Sequence, residues 1–164
     1  MMLFGKFMRI FVMRHGQAQA MAPSDKGREL TAVGQREAEM MAKKLVHQKE
    51  HFDAIFVSPY VRAQQTAKIV KNILATTTTL TTLEFITPED SAQQMHNYID
   101  VTFIDNAQAN VLIVSHMPLV CYLVEEFTCG QHAPLFETAS IAVIDYDIST
   151  AKGRLVSHTT PNSL

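Results

Sequence analysis

A chain of 164 residues, 47% apolar and 18% charged, is long enough for one proper core, and a single domain over 1–164 is expected. Its net charge of -2, with no dense Lys/Arg run, gives no support for long-range attraction to nucleic acid or an anionic membrane. No apolar run reaches the roughly 18 residues a membrane span needs, and two cysteines without an export signal fit a reducing cytoplasm.

Residues 1–7 (MMLFGKF) read either as a start-site extension, with Met8 the alternative start, or as an extra piece of strand. Residues 9–13 (RIFVM) are a short apolar run of the buried-strand type, followed by a polar loop from Gly16 to about Glu29. Thr31 is placed to N-cap a helix reaching about Val46, with Ala38, Met41, Ala42 and Leu45 on its inner face. Residues 54–57 (AIFV) form a second strand. Ser58 and Pro59 then predict a helix start, a capping hydroxyl before a proline, with Ala63, Ala67, Val70 and Leu74 turned inward. The threonine-rich run 76–82 reads as an edge strand with its approach loop. Thr87-Pro88-Glu89-Asp90 predicts a further helix start, with Met95, Ile99 and Phe103 on the buried side. Residues 111–114 (VLIV) are a buried strand, and Ser115-His116-Met117-Pro118 leads into a helix that Gly130 is placed to stop. Cys121 and Cys129, in or near that helix, read as two buried thiols acting as small hydrophobes. Residues 139–146 and 154–158 supply closing strands. Alternation of strands and helices, with strands apolar throughout, predicts a three-layer α/β/α sandwich with a mostly parallel central sheet.

Three of the strands run directly into cationic or imidazole side chains: 9–13 into Arg14-His15-Gly16, 54–57 into a segment ending at Arg62, and 111–114 into Ser115-His116. Ligands of open parallel sheets bind beyond the carboxyl ends of the strands. Arg14, His15, Arg62 and His116 therefore converge on one crevice if the strands are parallel. Two guanidiniums, two imidazoles and two helix starts favour an anion. Arg62 near a helix N-terminus opposes the helix dipole, a conflict that a bound oxyanion removes.

Arg14-His15-Gly16, Ser58-Pro59 followed by Arg62-Ala63 and Thr66-Ala67, Val114-Ser115-His116, and Leu30-Thr31 with Gly34-Gln35 together resemble the histidine phosphatase superfamily, with its phosphoglycerate-mutase-like fold. They occur in the family's order from residue 9 to about 127. The short length and Ser115-His116-x-Pro118-Leu119-Val120 look most like the SixA type of phosphohistidine phosphatase. The resemblance implies that His15 is the nucleophile and passes through a phosphohistidine intermediate. Arg14, Arg62 and His116 then act as catalytic and phosphate-binding groups, joined by Gly16 and the backbone amide of Met117. The cations, and His116 if protonated, would keep His15 uncharged. No metal and no cofactor is expected, because the arginines supply the positive charge and the histidines lack metal-ligand spacing.

Many members of the family carry an acidic proton donor. Glu84, Glu89, Asp90 and Asp25 are the candidates here, and none is assigned; Glu89 and Asp90 also suit the first turn of a helix. An alkoxide needs such an acid and an imidazole does not, so the expected substrate is a phosphohistidine on another protein, such as a histidine phosphotransfer domain. Short loops at 16–30 and 84–90 imply an open pocket. The alternatives are a small-molecule phosphomonoesterase or mutase of the same superfamily and a non-catalytic phosphate-binding module. A monomer is the default expectation.

Overall fold

The computed structural model describes residues 7–164; the expectation for residues 1–7 lies outside it except for Phe7, which is half exposed and precedes the first strand. Strands β1 (Met8–Arg14), β2 (Ala54–Val57), β3 (Leu80–Thr82), β4 (Asn110–Ser115), β5 (Ile141–Asp147) and β6 (Lys152–Thr159) form one sheet in the order β3-β2-β4-β1-β5-β6. The β1–β4, β4–β2 and β2–β3 pairs are parallel, with Arg14 opposite Ser115 and Val57 opposite Val114. Strand β5 runs antiparallel to β1, and β6 antiparallel to β5, so the closing pair is a hairpin.

Both faces of the sheet are covered, which is why the middles of its central strands, residues 10–13 and 111–114, are apolar at successive positions rather than at alternate ones. Ile10, Val12, Val111 and Ile113 face helices α3 (Ala92–Thr102) and α4 (Leu119–Phe127). Phe11, Met13, Leu112 and Val114 face α1 (Ala32–His47) and α2 (Val61–Leu74). The chain leaves β1 for α1 on one face and leaves the neighbouring β4 for α4 on the other. Connections diverging from adjacent parallel strands open a crevice at their carboxyl ends, the usual ligand site of such a sheet. His15 follows β1 and His116 follows β4, so the two imidazoles flank it.

Thr31 caps α1 as expected, its hydroxyl accepting the Gly34 N–H. Two other helix starts lie later than predicted. Helix α2 begins at Val61, because Pro59 and Tyr60 make the turn and the Ser58 hydroxyl is engaged elsewhere. Helix α3 begins at Ala92 behind the Ser91 cap, because Asp90 folds back to accept from the Thr87 N–H and hydroxyl and closes a separate turn. At the end of α4 both Cys129 and Gly130 have a positive φ: the Cys129 N–H reaches Glu126 O and the Gly130 N–H reaches Glu125 O. Cys129 is therefore exposed, and of the two thiols only Cys121 is buried.

Candidate active site

His15 sits where β1 ends. Its backbone N–H donates to Ser115 O at 3.0 Å and its carbonyl accepts from Ala139 N at 2.9 Å, which pins it between β4 and the approach to β5. The ring is 6% exposed. Nδ1 lies 2.7 Å from the Gly16 carbonyl, which can only accept, so Nδ1 carries the proton. Nε2 lies 3.1 Å from Arg62 Nε, which can only donate, so Nε2 holds a lone pair. Two independent partners thus select the same tautomer. Burial lowers the His15 pKa to about 4; the Gly16 bond opposes this, while Arg62, Arg14 and Arg28 add to it. The ring is neutral at physiological pH, with its Nε2 electron pair toward the cations.

Gly16 serves this arrangement by backbone fit. A Cβ there would lie 2.4 Å from Gly34 O, and one on Gly34 would lie 2.0 Å from Gln17 O, so the first turn of α1 rests directly on the loop after β1. The Gly16 N–H is donated to Thr66 Oγ1 at 3.1 Å, leaving its carbonyl as the group that acts on the site.

Arg62 is the second residue of α2 and is 3% exposed. Its Nη1 donates to the Asp25 carbonyl at 2.7 Å and its Nη2 to the Asp25 carboxylate at 3.2 Å. Asp25 thereby relieves the conflict between this cation and the helix dipole, a part that sequence reasoning gave to a bound oxyanion. Arg28 Nε binds the other Asp25 oxygen at 2.9 Å. Burial raises the Asp25 pKa, but Arg62 and Arg28 outweigh it and hold the carboxyl below its usual range. Arg14 donates through Nη1 to Phe136 O at 2.7 Å. Burial and, to a lesser extent, Arg62 lower its pKa while Glu37 raises it, and the guanidinium remains a cation.

His116, 1% exposed, has its ring centroid 5.0 Å from that of His15. Burial lowers its pKa to about 2, helped by His15, Arg62, Arg14 and Arg28, so it too is neutral. Its Nε2 is 2.6 Å from Ser58 Oγ. Arg14 Nε and His116 Nδ1 are buried nitrogens without a hydrogen-bond partner among the described residues. An unmatched buried polar group costs about 1–3 kcal/mol. A guest rich in acceptor oxygens would remove that cost at Arg14 Nε, which can only donate.

The expected convergence of Arg14, His15, Arg62 and His116 is what the structure contains. The Met117 N–H, in the turn before α4, has no protein acceptor among the described residues. Glu84 and Glu89 are exposed and bond to no site residue, and the Asp90 carboxylate is held in the Thr87 turn. Among the described residues, no three His, Cys, Asp or Glu side chains are grouped to hold a metal ion. Sequence reasoning missed Arg28, Ser58 and the Phe136 carbonyl. The Asp25-x-x-Arg28 spacing was visible, but its docking onto Arg62 is a tertiary contact with no local signal.

The fold and site define an α/β protein that holds a neutral imidazole, its lone pair directed at a guanidinium, at the topological switch of its sheet. The chain belongs to the histidine phosphatase superfamily. The family model for its branch 1 matches residues 10–84. The chain is 37% identical over 142 residues to the phosphohistidine phosphatase SixA of Escherichia coli K12, a match covering 87% of this chain and 88% of that one. It superimposes on the structure of the protein histidine phosphatase SixA complexed with tungstate with a TM-score of 0.89, at 35% identity over 94% and 97% of the two chains. A phosphoglycerate mutase from Bacillus anthracis shares the fold, at a TM-score of 0.76 and 15% identity over 93% and 92%. Among the described residues, no helix is long and apolar enough to cross a membrane.

Proposed function

We propose that this chain hydrolyses phosphohistidine carried by another protein, such as a histidine phosphotransfer domain, through a covalent phosphohistidine on His15. The observation that carries the reading is the fixed tautomer of His15: Nδ1–H on the Gly16 carbonyl and an Nε2 lone pair facing Arg62. The similar relatives are named phosphohistidine phosphatases, and one was determined with tungstate, a tetrahedral oxyanion like phosphate.

The steps balance without a proton on the nucleophile. Nε2 attacks phosphorus in line, a P–N bond forms, and the P–N bond to the substrate imidazole breaks. His15 keeps its Nδ1 proton, so the phosphorylated ring is cationic and the Gly16 carbonyl stabilises it. Arg62 then donates to a phosphoryl oxygen instead of to Nε2, while Arg14 and the neutral His116 bind the other oxygens. Water next attacks phosphorus, its proton passes to the phosphate, and His15 leaves as the same neutral tautomer. The substrate imidazole takes a proton near pH 6.5 and departs neutral, so no strong acid is needed. Asp25 is unsuited to that task, since Arg62 and Arg28 hold it ionised. An open depression lined by Ala20, Met21, Ala22, Asp25 and Arg28 adjoins the Asp25 that binds Arg62. The unpaired thiols fit a reducing cytoplasm.

The test is a paired assay of wild type and His15→Ala on a phosphorylated histidine phosphotransfer domain and on an aryl phosphate. Turnover of the phosphoprotein by wild type alone, with tungstate binding kept in His15→Ala, is expected. Rapid hydrolysis of sugar phosphates together with inactivity on phosphohistidine would sink the reading.

A further inference from the structure

We propose that Ser58 is a positioning residue that fixes the proton of His116 on Nδ1, so that a neutral imidazole presents an N–H to the transferring phosphoryl group. The inference rests on the function proposed above for the use of that N–H, but not for its placement. Ser58 is fully buried at the end of β2, and its Oγ lies 2.6 Å from His116 Nε2. A hydroxyl has one proton and two lone pairs. One lone pair accepts the Tyr60 N–H at 3.3 Å. Among the described residues, the proton has one acceptor within hydrogen-bond distance, His116 Nε2. The bond therefore runs from Ser58 O–H to Nε2, and the ring proton must sit on Nδ1.

The opposite polarity fails twice. If Nε2–H donated to Ser58, the buried hydroxyl proton would have no acceptor. Nδ1, which has no protein partner, would then turn a lone pair into a crevice built for oxyanions. With the proton on Nδ1, His116 and the unpartnered Arg14 Nε are both donors, the polarity that an oxyanion requires. The Tyr60 ring, edge-on to His116 with centroids 4.9 Å apart, packs the imidazole in this pose. The Ser58 hydroxyl is thus shared between His116 and the Tyr60 N–H, and Tyr60, at the N-cap of α2, makes no side-chain cap bond.

The experiment is long-range proton–nitrogen NMR of the whole chain, with the His116 signals assigned by their loss in His116→Gln. The wild type is expected to show a protonated Nδ1 and an unprotonated Nε2. Ser58→Ala should mix or invert that pattern and lower kcat by roughly tenfold to a hundredfold, as loss of an orienting partner does at other sites. Ser58→Thr, which keeps the hydroxyl, should restore the wild-type pattern and most of the rate. A wild-type ring protonated on Nε2 overturns the inference, and so does a folded Ser58→Ala with unchanged tautomer and turnover. If Ser58→Ala does not fold, the wild-type spectrum still decides. Failure of the functional reading is separable, since it would appear as no phosphohistidine turnover in a protein whose His116 tautomer is as expected.

Discussion

In the mechanism proposed above, His15 owes its nucleophilic character to its neighbours. A histidine in water is partly protonated near neutrality and exchanges its proton between two nitrogens. Here burial and three arginines remove the charge, and one carbonyl and one guanidinium choose the tautomer. In an NMR titration of the free chain, the His15 ring should therefore remain neutral through pH 5 and protonate near pH 4. In Arg62→Gln the midpoint should rise, because a cation facing Nε2 is removed; an unmoved midpoint would mean that Arg62 exerts no field on the ring. The glycine pair behind the site gives a second expectation. Gly to Ala inside a helix usually gains up to about 1 kcal/mol. At Gly34 the new Cβ would meet Gln17 O at 2.0 Å, so Gly34→Ala should instead cost at least about 2 kcal/mol in urea denaturation. Because Gln17 adjoins Gly16, kcat should fall with it.

At the scale of elements, three helices end on a left-handed residue that is not glycine: Lys49 after α1, Ala75 after α2 and Cys129 after α4. A side chain in that conformation costs roughly 1–2 kcal/mol, part of which glycine returns through its greater freedom when unfolded. Ala75→Gly should accordingly stabilise the chain by about 0.5–1 kcal/mol in thermal or urea unfolding, with catalysis unchanged, since α2 carries Arg62 at its other end. These stops explain what was readable along the chain. Strands buried on both faces announce themselves as VLIV or AIFV, and α1 was legible because Thr31 and its apolar stripe agree. At the end of α4 Gly130 does take a positive φ, but Cys129, a residue type that gives no such signal, takes one just before it. The starts of α2 and α3 were misplaced because the Ser58 and Asp90 oxygens bond elsewhere. In the site, Arg14, His15, Arg62 and His116 could be found because each ends or follows a strand, or opens a helix, at the carboxyl ends of the parallel strands. Arg28 and the Phe136 carbonyl could not, nor could the docking of Asp25 onto Arg62, since loops bring them in through contacts that no local pattern encodes.

For the whole molecule, the site is a liability in acid. In the folded chain His15 and His116 resist protonation down to about pH 4 and about pH 2, whereas in the unfolded chain both take a proton near pH 6.5. Between those limits the unfolded state binds more protons, so stability is complete above about pH 6.5 and falls as pH drops. Each ring contributes a slope of up to about 1.4 kcal/mol per pH unit, and the two together should remove about 2 kcal/mol between pH 6 and pH 5. Burial lowers the His158 pKa as well, with Glu137 opposing it, so that residue acts in the same direction. Asp25 also destabilises the fold when protonated, but a carboxyl held below its usual range titrates under this window. Urea denaturation of wild type and His15→Gln at pH 7, 6 and 5 separates the contributions. The variant should lose about 1 kcal/mol less than wild type between pH 6 and pH 5, because one of the two neutral rings is gone. On the proposed reading of the site, added tungstate should raise stability at every pH while His15 is neutral, since the crevice that would hold an oxyanion exists only in the folded state. Equal acid sensitivity in the two proteins would show that His15 is not held neutral by the fold, and with that the nucleophile's protonation state would have to be set by the substrate.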